Sequence, residues 1–329
     1  MEQDWERPDR VSVSSAQMNA LIERAFPGCS LDWAQVIPTG LANTNIRFRL
    51  RESDEQFVLR VHTRDPSAAA REASIVRYLR ASPGAAIPVP ALRYTCLDAS
   101  VVGHPCAIWE FVDGVLLQEL FVCLPDSELN EIATDCGRVL AGLGQRPFAE
   151  CGALDAEMKV VERYGPLSKY TEDYVRDSLH AGRAGKRVGE EMREQIWRTV
   201  QRHAPRLRAV DGRFCLVHGD FKRSNLLVRK RGSSWSVAAV VDWEFCFAGP
   251  PLVDVGNFLR AGDALPVGFR DAFAEGYLAA GGSLPADWLE LSRLVDLISQ
   301  MEFLNRLEER PRVFAETLEV VRETLQVLR

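Results

Sequence analysis

Residues 216–227 read LVHGDFKRSNLL. A histidine, a glycine, an aspartate, two cations and an asparagine interrupt what is otherwise strand-like apolar sequence. Asp220 and Asn225 stand five residues apart, and neither suits the interior of a strand. The plain reading is a surface turn. The sharper one is a catalytic loop that aims a carboxylate and an amide at one substrate. The residues beyond this stretch favour the catalytic loop. NLLVRK and SVAAVVDWE are strand-like runs joined by RGSS, a hairpin pattern. A hairpin returns near its start, so its second arm delivers Asp242 close to Asn225. A carboxylate and an amide oxygen are hard ligands suited to Mg2+, and the Asp220 carboxylate is nearby. Magnesium held by few protein oxygens usually also binds substrate phosphates.

Such a loop needs a frame. Upstream, LDWAQVIPTG, NTNIRFRL and QFVLRVHT read as strands, and DPSAAAREASIVRYLR reads as a helix capped by Asp65 or Ser67. ALRYTCLD and PCAIWEFV look like two further strands. In the helix, Ile75, Val76 and Leu79 follow Glu72 at three, four and seven residues, so the carboxylate shares the apolar face. A charge on an inward face is costly unless paired. Arg60, in FVLRVH, is the natural partner; the alternative is a solvated Glu72 at the edge of the stripe. After Gly114 helical periodicity dominates, with the LVHGD to VVDWE stretch as an island of strand and loop. Asp287, with Glu290 three residues on, reads as the cap of a later helix. The expected plan is a small β-rich lobe, residues 1–112, and a larger helical lobe, residues 113–329, with the ligand cleft between them.

Composition sets the outer bounds. An apolar fraction of 47% and a charged fraction of 26% are ordinary for a soluble globular chain. A net charge of −6 argues against nucleic acid as the main partner, because phosphate backbones need a basic surface. The opening MEQDWERPDR has no apolar core, so no secretory signal is expected, and no apolar run has the length of a membrane span. The 8 cysteines form no CxxC pair and no His/Cys cluster with zinc spacing; buried, reduced thiols in a cytoplasmic protein are expected.

The H-G-D-F-K-R-S-N run, the later DWE and the Arg60–Glu72 pair resemble the kinase catalytic core, which carries H-R-D-x-x-x-x-N, a metal-binding D-F-G and a strand cation paired to a helix Glu. The H-G-D and D-W-E forms, with FVLRV, look like the aminoglycoside phosphotransferase and choline kinase-like family, from about Val36 to about Arg310. That resemblance implies an α+β, bilobal protein kinase-like fold. It implies an enzyme that moves the γ-phosphate of ATP or GTP, with Mg2+, to a hydroxyl of a small molecule such as an antibiotic. Asp220 would be the catalytic base, and Asn225 and Asp242 would hold the metal. His218, Glu244 and Asp254 would support the loop. In TGLANTNIRF, Gly40 and the backbone around Asn43, Thr44 and Asn45 would lie near the phosphates, although the full G-x-G-x-x-G is missing. Trp109 would sit behind the base, with the Glu110 carbonyl and Val112 N–H at its edge.

Arg60 stands where kinases more often carry lysine; it keeps the charge but brings a planar fork, and leaves ATP or GTP open. Alternatives are a nucleotide-binding pseudokinase, opposed by the complete Asp220, Asn225, Asp242 set; a protein kinase, opposed by DWE and the missing A-P-E; and a metal-dependent hydrolase, opposed by the single nearby histidine. A kinase of a metabolic alcohol, sugar or amino acid is the other acceptor class. From Pro285 to Arg329 acids outnumber bases. This is either a solvated helix face or, with Asp296 or Glu302, the lining of an acceptor pocket for an ammonium group.

Overall fold

The computed structural model describes residues 11–38, 43–63, 65–82, 84–260 and 265–329. The chain opens with a helix, α1 (Ser15–Ala25), started by a reciprocal capping box between Ser14 and Gln17. Five antiparallel strands come next: β1 (Leu31–Val36), β2 (Thr44–Leu50), β3 (Gln56–Val61), β4 (Leu92–Cys96) and β5 (Cys106–Glu110), in spatial order β1-β2-β3-β5-β4. Strand alternation splits the sheet into two faces. Ile46, Phe48, Phe57, Leu59 and Ile108 pack on Met18, Leu21 and Ile22 of α1. The other face carries Asn45, Arg47, Val58, Arg60 and Trp109, set side by side by the β2–β3–β5 register.

Helix α2 (Ala68–Ala81) lies between β3 and β4 in sequence. Ser67 is its N-cap residue but makes no side-chain cap bond. Asp65 instead accepts from the Ser67 N–H at 2.9 Å and from Arg71 at 3.0 Å, so the expected cap is a local turn. Ile75, Val76 and Leu79 face a core that they share with Trp109 and with helices far along the chain.

Beyond Gly114 the chain is mainly helical, with the hairpin Leu226–Arg231 and Ser234–Val240 closed at Arg231 and Ser234 as the sequence pattern requires. A second sheet places Phe214–Val217 beside Phe247–Gly249. Asp287 precedes the helix Trp288–Asn305 without capping it, because its carboxylate is taken by Arg206 at 2.6 Å. All eight cysteines are unpaired, six of them buried. Among the described residues no helix is long and apolar enough to cross a membrane.

The helices Asp126–Gly144 and Phe269–Ala279 touch backbone to backbone. A Cβ on Gly276 would lie 1.9 Å from the Thr134 carbonyl oxygen, and one on Gly137 would lie 2.2 Å from that of Phe273. Neither obstacle is a flexible side chain, so the helices themselves must separate. Gly276→Ala should therefore cost about 1–3 kcal/mol or more, as overpacked cores do. Denaturant titration checks this. Gly165→Ala, where a Cβ meets nothing within 4 Å, should leave the midpoint unchanged.

Candidate active site

The strand Phe214–Val217 ends in a loop locked from beneath. Asp254, buried on the helix Leu252–Phe258, accepts the His218 N–H at 2.7 Å and the Gly219 N–H at 2.9 Å. Burial pushes its carboxyl up to about 7, against these two backbone donors. Gly219 has φ +79, and a Cβ there would lie 2.3 Å from the Phe245 carbonyl oxygen; glycine answers both constraints. His218 is buried, and burial pulls its pKa down. Its Nδ1 accepts the Asp220 N–H at 3.2 Å, and its Nε2 lies 3.1 Å from the Val241 carbonyl. A neutral ring protonated on Nε2 satisfies both contacts. His218 thus ties the loop to the hairpin.

Asp220 is held asymmetrically. Its Oδ2 accepts from Asn225 Nδ2 at 2.9 Å and from Lys222 Nζ at 2.8 Å. Its Oδ1 takes no bond from a described residue, and the side chain is 16% exposed. One oxygen is anchored and the other is open to the cleft. Lys222 is a residue that sequence reasoning passed over; its place two residues after Asp220 was the available signal.

The hairpin returns as its pattern demands: the Val241 N–H bonds the Asn225 carbonyl at 3.0 Å, which sets Asp242 beside Asn225. Asp242 adopts a left-handed conformation, φ 72 and ψ 60. Across the cleft, Arg60 Nη2 meets Asp242 Oδ1 at 2.5 Å and Glu72 Oε1 at 3.4 Å. Burial opposes the Arg60 charge, but Glu72 and Asp242 hold its pKa above the ordinary value. Glu72 is buried, and burial raises its carboxyl to about 7 in spite of Arg60. His62, fully buried 3.7 Å from Glu72, was also missed; burial and Arg60 push it down to about 3, so the imidazole is neutral. Two-residue alternation from Arg60 would have found it.

Other expected residues divide. Asn45, paired with Arg60 in the β2–β3 register, shares the cleft face. Thr44 does not: it is buried on the α1 face, and its hydroxyl accepts the Val11 N–H at 3.2 Å. The alternation that exposes Asn45 turns Thr44 away. Asn43 lies just before β2, and Gly40 falls outside the described residues. Trp109 is buried on the cleft face opposite Val58. Glu110 ends β5 with its carboxylate 3.3 Å from the Ala91 N–H, and Val112 stands two residues later. Glu244 is buried, and its carbonyl accepts from Arg71 at 3.0 Å. Asp296 cannot receive an acceptor's ammonium. It is buried, and its oxygens already accept from Arg260 at 2.7–3.1 Å and from Gln300 at 2.8 Å. Glu302, on the same helix, is exposed and forms no hydrogen bond or ion pair with another described residue.

No group of three or more His, Cys, Asp or Glu among the described residues could hold a metal by itself. The oxygens that suit a hard cation are Asn225 Oδ1, left over when Nδ2 bonds Asp220, and the second oxygen of Asp242, whose side chain is 29% exposed. So small a set fits magnesium arriving with nucleotide phosphates.

The description "Phosphotransferase enzyme family" matches residues 33–293. The chain belongs to this family. Its fold is that of the aminoglycoside phosphotransferases and is protein kinase-like. Aminoglycoside phosphotransferase APH(4)-Ia superposes over 95% of this chain and 99% of its own, with TM-score 0.68 and 16% identity. A GDP and kanamycin complex of APH(2")-IIIa superposes over 93% and 97%, with TM-score 0.67 and 16% identity. Among curated proteins, acyl-CoA dehydrogenase family member 10 of Mus musculus is 28% identical over 69% of this chain. The probable acyl-CoA dehydrogenase IBR3 of Arabidopsis thaliana is 23% identical over 67%. The matched stretch spans 21% and 25% of these two relatives, so this phosphotransferase-family unit corresponds to a minor part of each.

Glu72 gives the site a pH signature. Its folded pKa, about 7, lies above the ordinary glutamate value, so the folded state keeps this proton to higher pH than the unfolded state. The stabilisation is complete below the ordinary value and is lost as pH rises through about 7. Nucleotide-free protein should therefore lose thermal stability from pH 5 toward pH 8 more steeply than Glu72→Gln. Melting curves of both across that range test it; parallel profiles would remove Glu72 as the source.

Proposed function

We propose that this chain transfers the γ-phosphoryl group of a magnesium-bound nucleoside triphosphate to a hydroxyl of a small molecule. The observation that carries this reading is the divided Asp220 carboxylate: Oδ2 fixed by Asn225 and Lys222, Oδ1 open, across a cleft from Arg60. An acceptor hydroxyl donates to Oδ1 and is thereby oriented for in-line attack. The new O–P bond forms as the bridging O–P bond to the β-phosphate breaks, and the hydroxyl proton passes to Oδ1. Magnesium, held by Asn225 and Asp242, would neutralise charge on the phosphates. Arg60 must then release Asp242 and turn its fork to phosphate oxygens, with Glu72 and His62 behind it. The sheet face bearing Asn45, Val58 and Trp109 would receive the nucleotide, ATP or GTP. The eight unpaired cysteines support a reducing, cytoplasmic setting.

The fold neighbours favour an antibiotic acceptor such as an aminoglycoside, since one of them is a kanamycin complex. The curated relatives, named for acyl-CoA dehydrogenases rather than for antibiotics, support a metabolic acceptor as the second class. Neither class alters the roles of the residues above.

Asp220→Asn should cut turnover by about two to four orders of magnitude, the range of general acid–base groups, with nucleotide affinity little changed. Asp242→Ala should remove the magnesium dependence of nucleotide binding by calorimetry. Near-normal turnover in the first variant, or unchanged Mg-nucleotide affinity in the second, would refute the reading.

A further inference from the structure

Four aromatic rings lie in a row that begins beside the catalytic loop. Phe247 is the register partner of Val217, three residues before Asp220. Its ring is 6.0 Å from Tyr164, which is 5.8 Å from Tyr170, which stacks on Tyr174 at 5.8 Å and 19°. All four are half-buried. None of the three tyrosine hydroxyls bonds another described residue. The row ends at Glu302. Burial first, and then the Glu302 carboxylate, push the Tyr174 hydroxyl up to about 12, and Glu302 also acts on Tyr170 and on Arg260. Arg260 in turn feels Asp220.

The charges along this row select its occupant. Asp220 is paired with Lys222, and Asp296 with Arg260. Glu302 lies in the field of Arg260, and a second acid, Glu162, acts on Tyr164 and Tyr170. A polyamine sugar would find Asp220 and Asp296 already engaged and would meet the charges of Arg260 and Lys222 beside the reacting hydroxyl. The rings offer a broad, half-buried apolar surface, which matches an aryl or alkyl body along its whole length.

We propose that the aromatic row is the acceptor platform, and that it takes an alcohol with an apolar body, aryl or alkyl, rather than a polycationic aminoglycoside. This deepens the phosphotransferase reading and rests on it. The body lies over Tyr164, Tyr170 and Tyr174, and the hydroxyl reaches Asp220 past Phe247.

The test is release of nucleoside diphosphate by the full chain with Mg-ATP or Mg-GTP, using phenylethanol, octanediol, glucose and kanamycin, and with water as the sole acceptor. The apolar alcohols should give a kcat/KM at least about tenfold above glucose and kanamycin, the scale on which apolar pockets discriminate. Tyr174→Ser should raise KM for phenylethanol roughly tenfold with a much smaller fall in kcat, the mark of lost uniform binding. Tyr174→Phe, which keeps the ring, should recover most of the KM lost in Tyr174→Ser. Added salt should leave the apolar acceptors' KM unchanged, whereas contact with a polycation would weaken. Preferred use of kanamycin, with a salt-sensitive KM indifferent to Tyr174→Ser, would overturn the platform and leave the phosphotransferase standing. Absence of magnesium-dependent turnover with every acceptor, water included, would overturn the phosphotransferase reading and the platform with it.

Discussion

A guanidinium between two carboxylates governs this molecule. Arg60, carried on a strand, bridges Glu72 on a helix and Asp242 at the tip of a hairpin 182 residues away. Each of these charges would be costly in the half-dry cleft alone. Together they require that sheet, helix and hairpin converge at one point. In the phosphoryl transfer proposed above, phosphate oxygens would replace Asp242 on the arginine, and a cation would replace the arginine on Asp242.

Beneath this pair the loop is held by groups that have no chemistry to perform. Asp254 gathers two backbone N–H groups, and Asn257 donates to the Gly219 carbonyl at 3.0 Å. Asn257 also accepts from Arg260 at 2.5 Å, and Arg260 is clamped by Asp296. The buried acid that the sequence offers as an acceptor contact therefore belongs to a chain of contacts that ends on the catalytic loop. Its charge is spent on position rather than recognition.

The parts of the fold visible in the sequence were those with a local code. The hairpin showed in its alternation and in RGSS, and Asp242 followed from the geometry of any hairpin. Glu72 showed in its place on an apolar helix face. The first helix also had a code, the Ser14–Gln17 capping box, but its weakly patterned residues read as part of a β-rich region. Thr44 and Asn45 were indistinguishable until the register with β3 fixed which of them faced Arg60. Asp296 and Glu302 were equally ambiguous. They differ in whether a cation from another helix, Arg260, stands opposite, and no local pattern encodes that. The aromatic row joins residues from two distant stretches, and only the tertiary structure assembles it.

The hydrophobic interior is divided in an unexpected place. Phe48, Phe57 and Leu59 belong with α1 to one core, whereas Ile75, Val76, Ala107 and Trp109 belong to the core of the distant helices. Helix α2 and the inner face of β5 are thus mechanically part of the large body. The β-rich half is therefore held by two cores, one beneath α1 and the outer strands and one beneath α2 and the inner face of β5. Arg60 stands on a strand of the first core and Glu72 on a helix of the second. Their 3.4 Å contact is therefore a polar stitch across the seam between two hydrophobic interiors, and cutting it would loosen one core from the other without emptying either.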